Sequence, residues 1–307
     1  VKVASIDIGT NTIRLLIAHI QNGNFKKVFV GREITRLGGG FGRKGGAITN
    51  EAMERSIEAI LKFSHIIGSH GVDRIRAVAT SVVREASNGE ELLNRIEGLT
   101  GIKVEVIPWD EEARLAAKGV LSSVEIEDRY VLILDIGGGS TEFVLVEDSN
   151  VVEAVSTNLG VVHLAERYLP GSGVPSQENI ALLCEEIENK LRDGLRSIIS
   201  YAEKGPRLVA TAGTPTTLAA IDLKLDHYDP EKINGHVITR DSIYNIFKEL
   251  ISLSSVDRLK IVGLEKGRED LLIPGAIIVL KTMDKFRSSE LTVSDGGLLE
   301  GIALSML

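Results

Sequence analysis

A single cysteine, Cys184, stands among 307 residues. The chain therefore has no intramolecular disulfide and no cysteine-cluster metal site. A long apolar run is also missing: nothing approaches the ~18 residues that a membrane-crossing helix needs. Basic residues are in the minority, 35 Lys and Arg against 43 Asp and Glu, for a formal net charge of −8. A nucleic-acid binder usually carries a basic excess, so that class is set aside together with membrane proteins. The same charge repels a polyanionic substrate at long range. Exposed charges fade over about 8 Å at physiological salt, however, so a local basic groove or a bound metal can dominate at a site. No low-complexity tract interrupts the chain. Its start, Val1-Lys2-Val3-Ala4-Ser5-Ile6-Asp7, reads as a strand and not as a signal peptide. What remains, 43% hydrophobic and 25% charged residues, predicts a soluble globular protein of the reducing cytoplasm, long enough for two domains.

Three segments carry helical spacing. After Thr49-Asn50, apolar Met53, Ile57, Ile60, Leu61 and Ile67 share a face, and Gly68 is expected to end the run. After Pro175-Ser176 come Ile180, Cys184, Ile187, Leu191, Leu195 and Ile198, which places Cys184 on an apolar stripe as a core residue. After Asp241 come Ile243, Ile246, Phe247 and Leu250. Strands are expected over 3–8, 13–20, 104–107, 131–136, 143–146 and 208–211. Strands alternating with helices predict an α/β fold. The glycine-rich stretch from Gly38 to Gly46 reads as a mobile loop, in which Arg43 and Lys44 are either solvated charges or contacts for a distal polyanion.

An internal repeat organises the chain. Residues 6–17 read Ile-Asp-Ile-Gly-Thr-Asn-Thr-Ile-Arg-Leu-Leu-Ile, and residues 134–145 read Leu-Asp-Ile-Gly-Gly-Gly-Ser-Thr-Glu-Phe-Val-Leu. Each is an apolar strand ending in Asp-Ile-Gly, a tight turn and a second strand. Asp7 matches Asp135, Gly9 matches Gly137, and Arg14 takes the place of Glu142. The repeat predicts two similar domains facing each other. Gly137, Gly138 and Gly139 let backbone N–H groups converge on an anion, and Ser140 and Thr141 add hydroxyl donors. Asp135 and Glu142 cannot bind phosphate directly, but they can bind a divalent cation that neutralises it. A third segment, Ala212-Gly213-Thr214-Pro215, predicts a helix start with Thr214 as N-cap and Pro215 in the first helical position. Free N–H groups there suit an anion. An ordinary hairpin and a well-capped helix without ligand are the plainer readings of these segments.

Together these segments resemble the actin, Hsp70 and sugar-kinase superfamily. Asp7 to Leu15 is similar to its first phosphate motif, Asp135 to Glu142 to its second, Ala212-Gly213-Thr214 to its nucleotide-side glycine turn, and Val293 to Gly301 to the motif opening its last interdomain helix. Within it, Ala79-Thr80-Ser81-Val82-Val83-Arg84-Glu85-Ala86 and Glu111-Glu112-Ala113-Arg114-Leu115 resemble the exopolyphosphatase/guanosine pentaphosphate phosphohydrolase (Ppx/GppA) family. The resemblance covers essentially the whole chain.

The resemblance implies two actin-like (ribonuclease H-like) domains with a catalytic cleft between them, 1–125 plus 297–307 and 126–296. It implies hydrolysis of the terminal phosphate of polyphosphate or guanosine pentaphosphate, with Mg²⁺ or another divalent cation. Glu112 matches the catalytic base and Arg84 the phosphate-contacting arginine. Asp7, Gly9, Thr10, Asn11 and Thr12 match the first phosphate loop, while Asp135, Glu142 and Asp7 match the metal-associated acids. Gly137 to Thr141, Gly213 and Thr214 complete the phosphate set. The plainer alternatives are first-turn helix acids for Glu111 and Glu112, a surface ion pair with Glu85 or Asp73 for Arg84, and a structural role for His236. Longer relatives carry an extra helical domain, whereas this sequence stops six residues after Gly301, so their polyphosphate channel and processivity are not expected to carry over. A homodimer is expected by analogy. A non-catalytic sensor of guanosine tetraphosphate or polyphosphate, and a small-molecule kinase, are the competing functions; no sugar-kinase signature is present.

Overall fold

The computed structural model describes residues 1–21, 24–41 and 45–307, so the Arg43 and Lys44 reading lies outside the described residues. The chain forms two compact units, Val1–Gly119 with Leu298–Leu307, and Val120–Gly297.

In the first unit the strands are β1 (Lys2–Ile8), β2 (Thr12–Gln21), β3 (Asn24–Ile34), β4 (Arg74–Ala79) and β5 (Val104–Val106). They make one sheet in the order β3-β2-β1-β4-β5. β1 pairs antiparallel with β2 and parallel with β4, and β4 pairs parallel with β5. The helices are α1 (Asn50–His70), α2 (Ser81–Glu85), α3 (Gly89–Thr100) and α4 (Trp109–Ser123), whose last turn passes into the second unit, and the C-terminal helix Leu298–Ser305. Alternation along β1 divides its side chains between two layers. Ala4, Ile6 and Ile8 pack with Met53, Ile57, Ile60 and Phe63 of α1. Val3 faces the other way, with Leu299 and Ala303 of the C-terminal helix, and Ser5 Oγ donates to Leu299 O on that side at 2.8 Å. Both faces of the sheet are therefore buried, which is why β1 reads as an almost unbroken apolar run.

The second unit has β6 (Tyr130–Ile136), β7 (Thr141–Glu147), β8 (Asn150–Thr157), β9 (Arg207–Thr211), β10 (Val237–Thr239) and β11 (Glu290–Val293). Their order is β10-β11-β9-β6-β7-β8. Its helices are α5 (Val161–Tyr168), α6 (Gln177–Gly194), α7 (Gly213–Asp222), α8 (Pro230–Ile233), α9 (Arg240–Ser252), α10 (Ser255–Arg258) and α11 (Leu272–Phe286). α11 is the central one: twelve of its residues, including Ile273, Ile277, Leu280 and Phe286, are buried, and they share a core with α6, α7 and α9. No described helix is long and apolar enough to cross a membrane.

Several local expectations need correction. α1 runs through exposed Gly68 and stops at Gly71, whose φ of 59° supplies the left-handed C-cap. Glycine inside an exposed turn costs only about 1 kcal/mol, which a helix with this much buried face absorbs. α6 ends at Gly194, so Leu195 and Ile198 lie past it, although both stay buried. Cys184 is half-buried against the core, and burial pushes its thiol up; Leu183 is the fully buried neighbour. Thr214 is not an N-cap. α7 starts two residues earlier, capped by Ala212 at φ 76°, and Pro215 moves to the third helical position. The Thr214 side chain turns into the core, where it leaves room only for Gly275: a Cβ there would lie 2.4 Å from Thr214 Cγ2.

Candidate functional site

The two Asp-Ile-Gly hairpins share one register. Asp7 faces Arg14 across β1 and β2, and Asp135 faces Glu142 across β6 and β7. The chemistry at those paired positions differs. In the first hairpin, Arg14 Nε and Nη2 donate to Asp7 Oδ2 at 3.1 and 2.7 Å. In the second, two carboxylates share one face, and both are nearly inaccessible to solvent, at 9% and 1% exposure. Like-charged neighbours in such a place favour a cation between or beside them.

The first turn is pinned from behind. Gly9 N donates to Thr12 O, Gly38 N to Thr10 O, and Thr35 N and Arg36 N both donate to Asn11 O. In a trans peptide the following N–H points opposite to the carbonyl. The amides of Asn11 and Thr12 are thereby turned away from the segment that holds the loop. Oδ1 of Asp7 and Oδ1 of Asn11 are buried and have no hydrogen-bond partner among the described residues. Buried acceptors of this kind call for a donor or a cation.

The second turn repeats the arrangement. Val161 N and Val162 N, at the start of α5, donate to Gly137 O and Gly138 O at 3.1 and 3.0 Å. The amides of Gly138 and Gly139 therefore point away from α5, and among the described residues neither donates to a backbone carbonyl. Ser140 is buried at the turn, while Thr141 Oγ1 is spent on Leu159 O at 2.6 Å. The backbone of Thr141 borders the turn; its hydroxyl anchors the following segment.

Arg84 and Glu112 come together. β1, β4 and β5 are adjacent parallel strands, and their C-terminal ends carry Asp7, Arg84 and Glu112 in that order. Arg84 sits on α2, just beyond β4. Its Nη1 donates to Ile107 O at 2.7 Å and to Glu112 Oε2 at 3.3 Å. Glu112, on the first turn of α4, is 7% exposed. The expected alternative partners of Arg84 are engaged elsewhere: Glu85 accepts from Ser81 Oγ, and Asp73 from Lys2 N. Glu111 points away and accepts from Arg76 Nη2 at 2.7 Å. Burial alone would lower the Arg76 pKa, but its bonds to Glu111 and Glu105 raise it above the usual value.

The third segment lies on the same sheet edge as the second turn, because Thr211 is the parallel neighbour of Asp135. Gly213 opens α7, and the Arg268 guanidinium lies directly on it: a Cβ at 213 would stand 1.7 Å from Arg268 Nη1. Arg268 is a residue that the sequence reading did not single out. Its signal is only a charged stretch, Lys266-Gly267-Arg268-Glu269-Asp270, far from Gly213 along the chain. Ser156 was missed as well. From β8 its Oγ donates to Glu142 Oε1 at 2.7 Å, which fixes the carboxylate's orientation. His236 has a structural partner, with Nε2 2.8 Å from Asp222 Oδ2.

A magnesium ion fits this donor set. It asks for one or two carboxylates and takes its other ligands from water and phosphate. Asp135 and Glu142, directly opposite each other in the second unit, supply such a pair. Among the described residues no group of three or more His, Cys, Asp or Glu side chains gathers as a protein-only metal cage.

Comparison with known proteins gives a consistent set of relatives. The bifunctional 3-dehydroquinate synthase/phosphatase of Fusobacterium nucleatum is 31% identical over 97% of the chain, which spans 46% of that longer protein. Exopolyphosphatase 2 of Mycobacterium tuberculosis is 32% identical, covering 99% of this chain and 98% of the relative. The crystal structure of the Aquifex aeolicus PPX-GPPA enzyme superposes with a TM-score of 0.82 at 34% identity, over 99% of both chains. That match shows the two-domain, actin-like α/β fold that the motifs implied. The description of the Ppx/GppA phosphatase family matches residues 16–307, and with these motifs in place the chain belongs to that family of phosphatases.

Proposed function

We propose that this protein removes the terminal phosphate from inorganic polyphosphate or guanosine pentaphosphate by water attack. The observation that carries the reading is the set of three neighbouring strand ends in the first unit. They present a phosphate loop, an arginine and a buried carboxylate side by side.

Arg84 donates to the oxygens of the terminal phosphoryl group and spreads its developing charge. Glu112 holds the attacking water and accepts its proton as the water oxygen bonds to phosphorus. The P–O bond to the rest of the chain breaks, and the leaving phosphate oxygen keeps the electron pair. The turned-out amides of Asn11 and Thr12, and of Gly138 and Gly139, bind phosphate oxygens without adding side-chain bulk. In the second unit, Gly213 and Arg268 offer a further cationic surface for the remainder of the polyanion. A divalent cation would be held by Asp135 and Glu142 and would neutralise phosphate charge when bound.

The test is phosphate release from long-chain polyphosphate and from guanosine pentaphosphate in parallel, with Mg²⁺ and with EDTA. Release from either that EDTA abolishes is expected, and the ratio of rates names the substrate. Tight binding of both with no release would replace the hydrolase by a sensor.

Ser156 gives a second, finer test. Without its hydroxyl, Glu142 loses the bond that orients it. Ser156→Ala is expected to raise the Mg²⁺ concentration for half-maximal activity about tenfold, the low end for loss of a ligand's supporting bond. Direct titration with Mn²⁺, followed by its electron paramagnetic resonance signal, should show the same weakening without substrate. An unchanged metal affinity would remove Glu142 from the ligand set.

A further inference from the structure

Arg258 is 3% exposed, and no carboxylate among the described residues accepts from its guanidinium. Instead it donates to three main-chain carbonyls: Nε to Leu250 O at 2.7 Å, Nη2 to Leu253 O at 2.9 Å, and Nη1 to Glu269 O at 3.0 Å. The first two are orphan carbonyls at the end of α9, a favourable place for a cation. The third belongs to the residue immediately after Arg268. Burial pulls the Arg258 pKa below its usual value, against the opposing pull of Asp270 and Glu269. A buried charge is costly, and the guanidinium fork is the side chain that can reach three carbonyls on two segments at once.

The segment between is seated just as specifically. Gly263, at φ 90°, presses on the far end of α7, where a Cβ would stand 2.4 Å from Ala220 O. Arg268 N donates to Glu265 O, and Leu271 N and Leu272 N close on Arg268 O as α11 begins. Glu265 Oε2 accepts from Arg268 Nε at 2.9 Å. The segment thus crosses α7 from its C-terminal end to its N-terminus and delivers the Arg268 guanidinium onto Gly213.

We propose that Arg258 and the segment 259–271 form a clamp that positions Arg268 at the start of α7, making Arg258 a positioning residue for polyanion binding. The inference rests on the reading of Arg268 as a polyanion contact. Its test is a double-mutant cycle read by phosphate release from polyphosphate, with KM and kcat separated. Arg258→Lys keeps the charge but cannot span three carbonyls. It is expected to raise KM about tenfold with kcat within about twofold. In an Arg268→Ala background the same change should move KM by less than about twofold, because its target is gone.

Equal KM effects in both backgrounds would overturn the clamp, since a purely structural residue adds its damage everywhere. An unchanged KM in Arg258→Lys, while Arg268→Ala raises it, would overturn it too. If Arg268→Ala leaves KM unaltered while Mg²⁺-dependent release persists, Arg268 is not a polyanion contact and the clamp falls with it. The hydrolase reading stands in that case. Should Arg258→Lys not fold, Glu265→Gln carries the same cycle from the surface. It leaves the carbonyl cage intact and weakens the charged bond to Arg268 Nε, so KM should rise alone and stay still in the Arg268→Ala background. Additive KM effects from Glu265→Gln would sink the clamp equally.

Discussion

Glu112→Gln is expected to lower kcat by about 10² to 10⁴-fold, the usual contribution of a positioned general base, with KM for polyphosphate or guanosine pentaphosphate changed little. The amide is nearly the same size, so the tight surroundings of a 7% exposed side chain are preserved. Its oxygen can still accept from Arg84 Nη1, as Glu112 Oε2 does at 3.3 Å. What it cannot do is take a proton from water. Arg84 also keeps its second anchor, Ile107 O at 2.7 Å, so the phosphate-facing cation should not collapse. The matched control is Glu111→Gln. That carboxylate is one residue away but about 100° around the helix, and it is committed to Arg76. Near-normal turnover is expected for it. Single-turnover phosphate release measured beside equilibrium binding separates the two variants. Retention of most activity in Glu112→Gln would take the base role from Glu112.

The contrast between Glu111 and Glu112 marks how far the sequence could be read. Both are acids in the first turn of a helix, and pattern alone gives them the same bland role. The resemblance chose Glu112, and the structure supplies a physical reason for the difference: Arg76, on β4, draws Glu111 outward, while Arg84, twenty-eight residues before Glu112, meets the other acid. The hairpins were legible because two copies of Asp-Ile-Gly with the same flanking strands leave little else to form. The edge strands β3 and β8 were not. β8 is exposed or half-exposed along most of its length, so its composition carries no strong apolar period. Arg268 was hidden for a different reason. It reaches Gly213 from a loop that crosses a helix, and no local period encodes such a crossing. The start of α7 misled the pattern because the strongest cap signal, Thr214-Pro215, was competing with a close approach. Thr214 is needed inside, against Gly275, so the helix begins earlier, at Gly213, behind an alanine with positive φ.

Gly160→Ala is expected to cost about 1–3 kcal/mol of stability, the usual penalty of overpacking, and to cut phosphate release about 100-fold, as misplacing a binding group by an ångström can. Backbone conformation is not the obstacle. Gly160 has φ −87° and ψ 127°, which alanine adopts freely. The obstacle is space: the added Cβ would lie 2.2 Å from Gly139 C, 2.3 Å from Gly139 O and 2.4 Å from Gly138 O. All three are main-chain atoms, so no side-chain rotation relieves the clash. The turn 137–139 and the start of α5 would have to separate. That movement pulls Val161 N and Val162 N away from Gly137 O and Gly138 O. With the carbonyls released, the peptide planes are free to rotate, and the amides of Gly138 and Gly139 lose their common direction. Stability and activity are therefore linked through two hydrogen bonds that face away from the ligand. Gly173→Ala, where a Cβ meets nothing within 4 Å, supplies the control for glycine replacement in general. Urea unfolding and phosphate release on the two variants decide the matter. A Gly160→Ala protein that is destabilised yet fully active would show that the turn amides carry no share of phosphate binding, and the part played by the second hairpin would then rest on a cation held by its two acids.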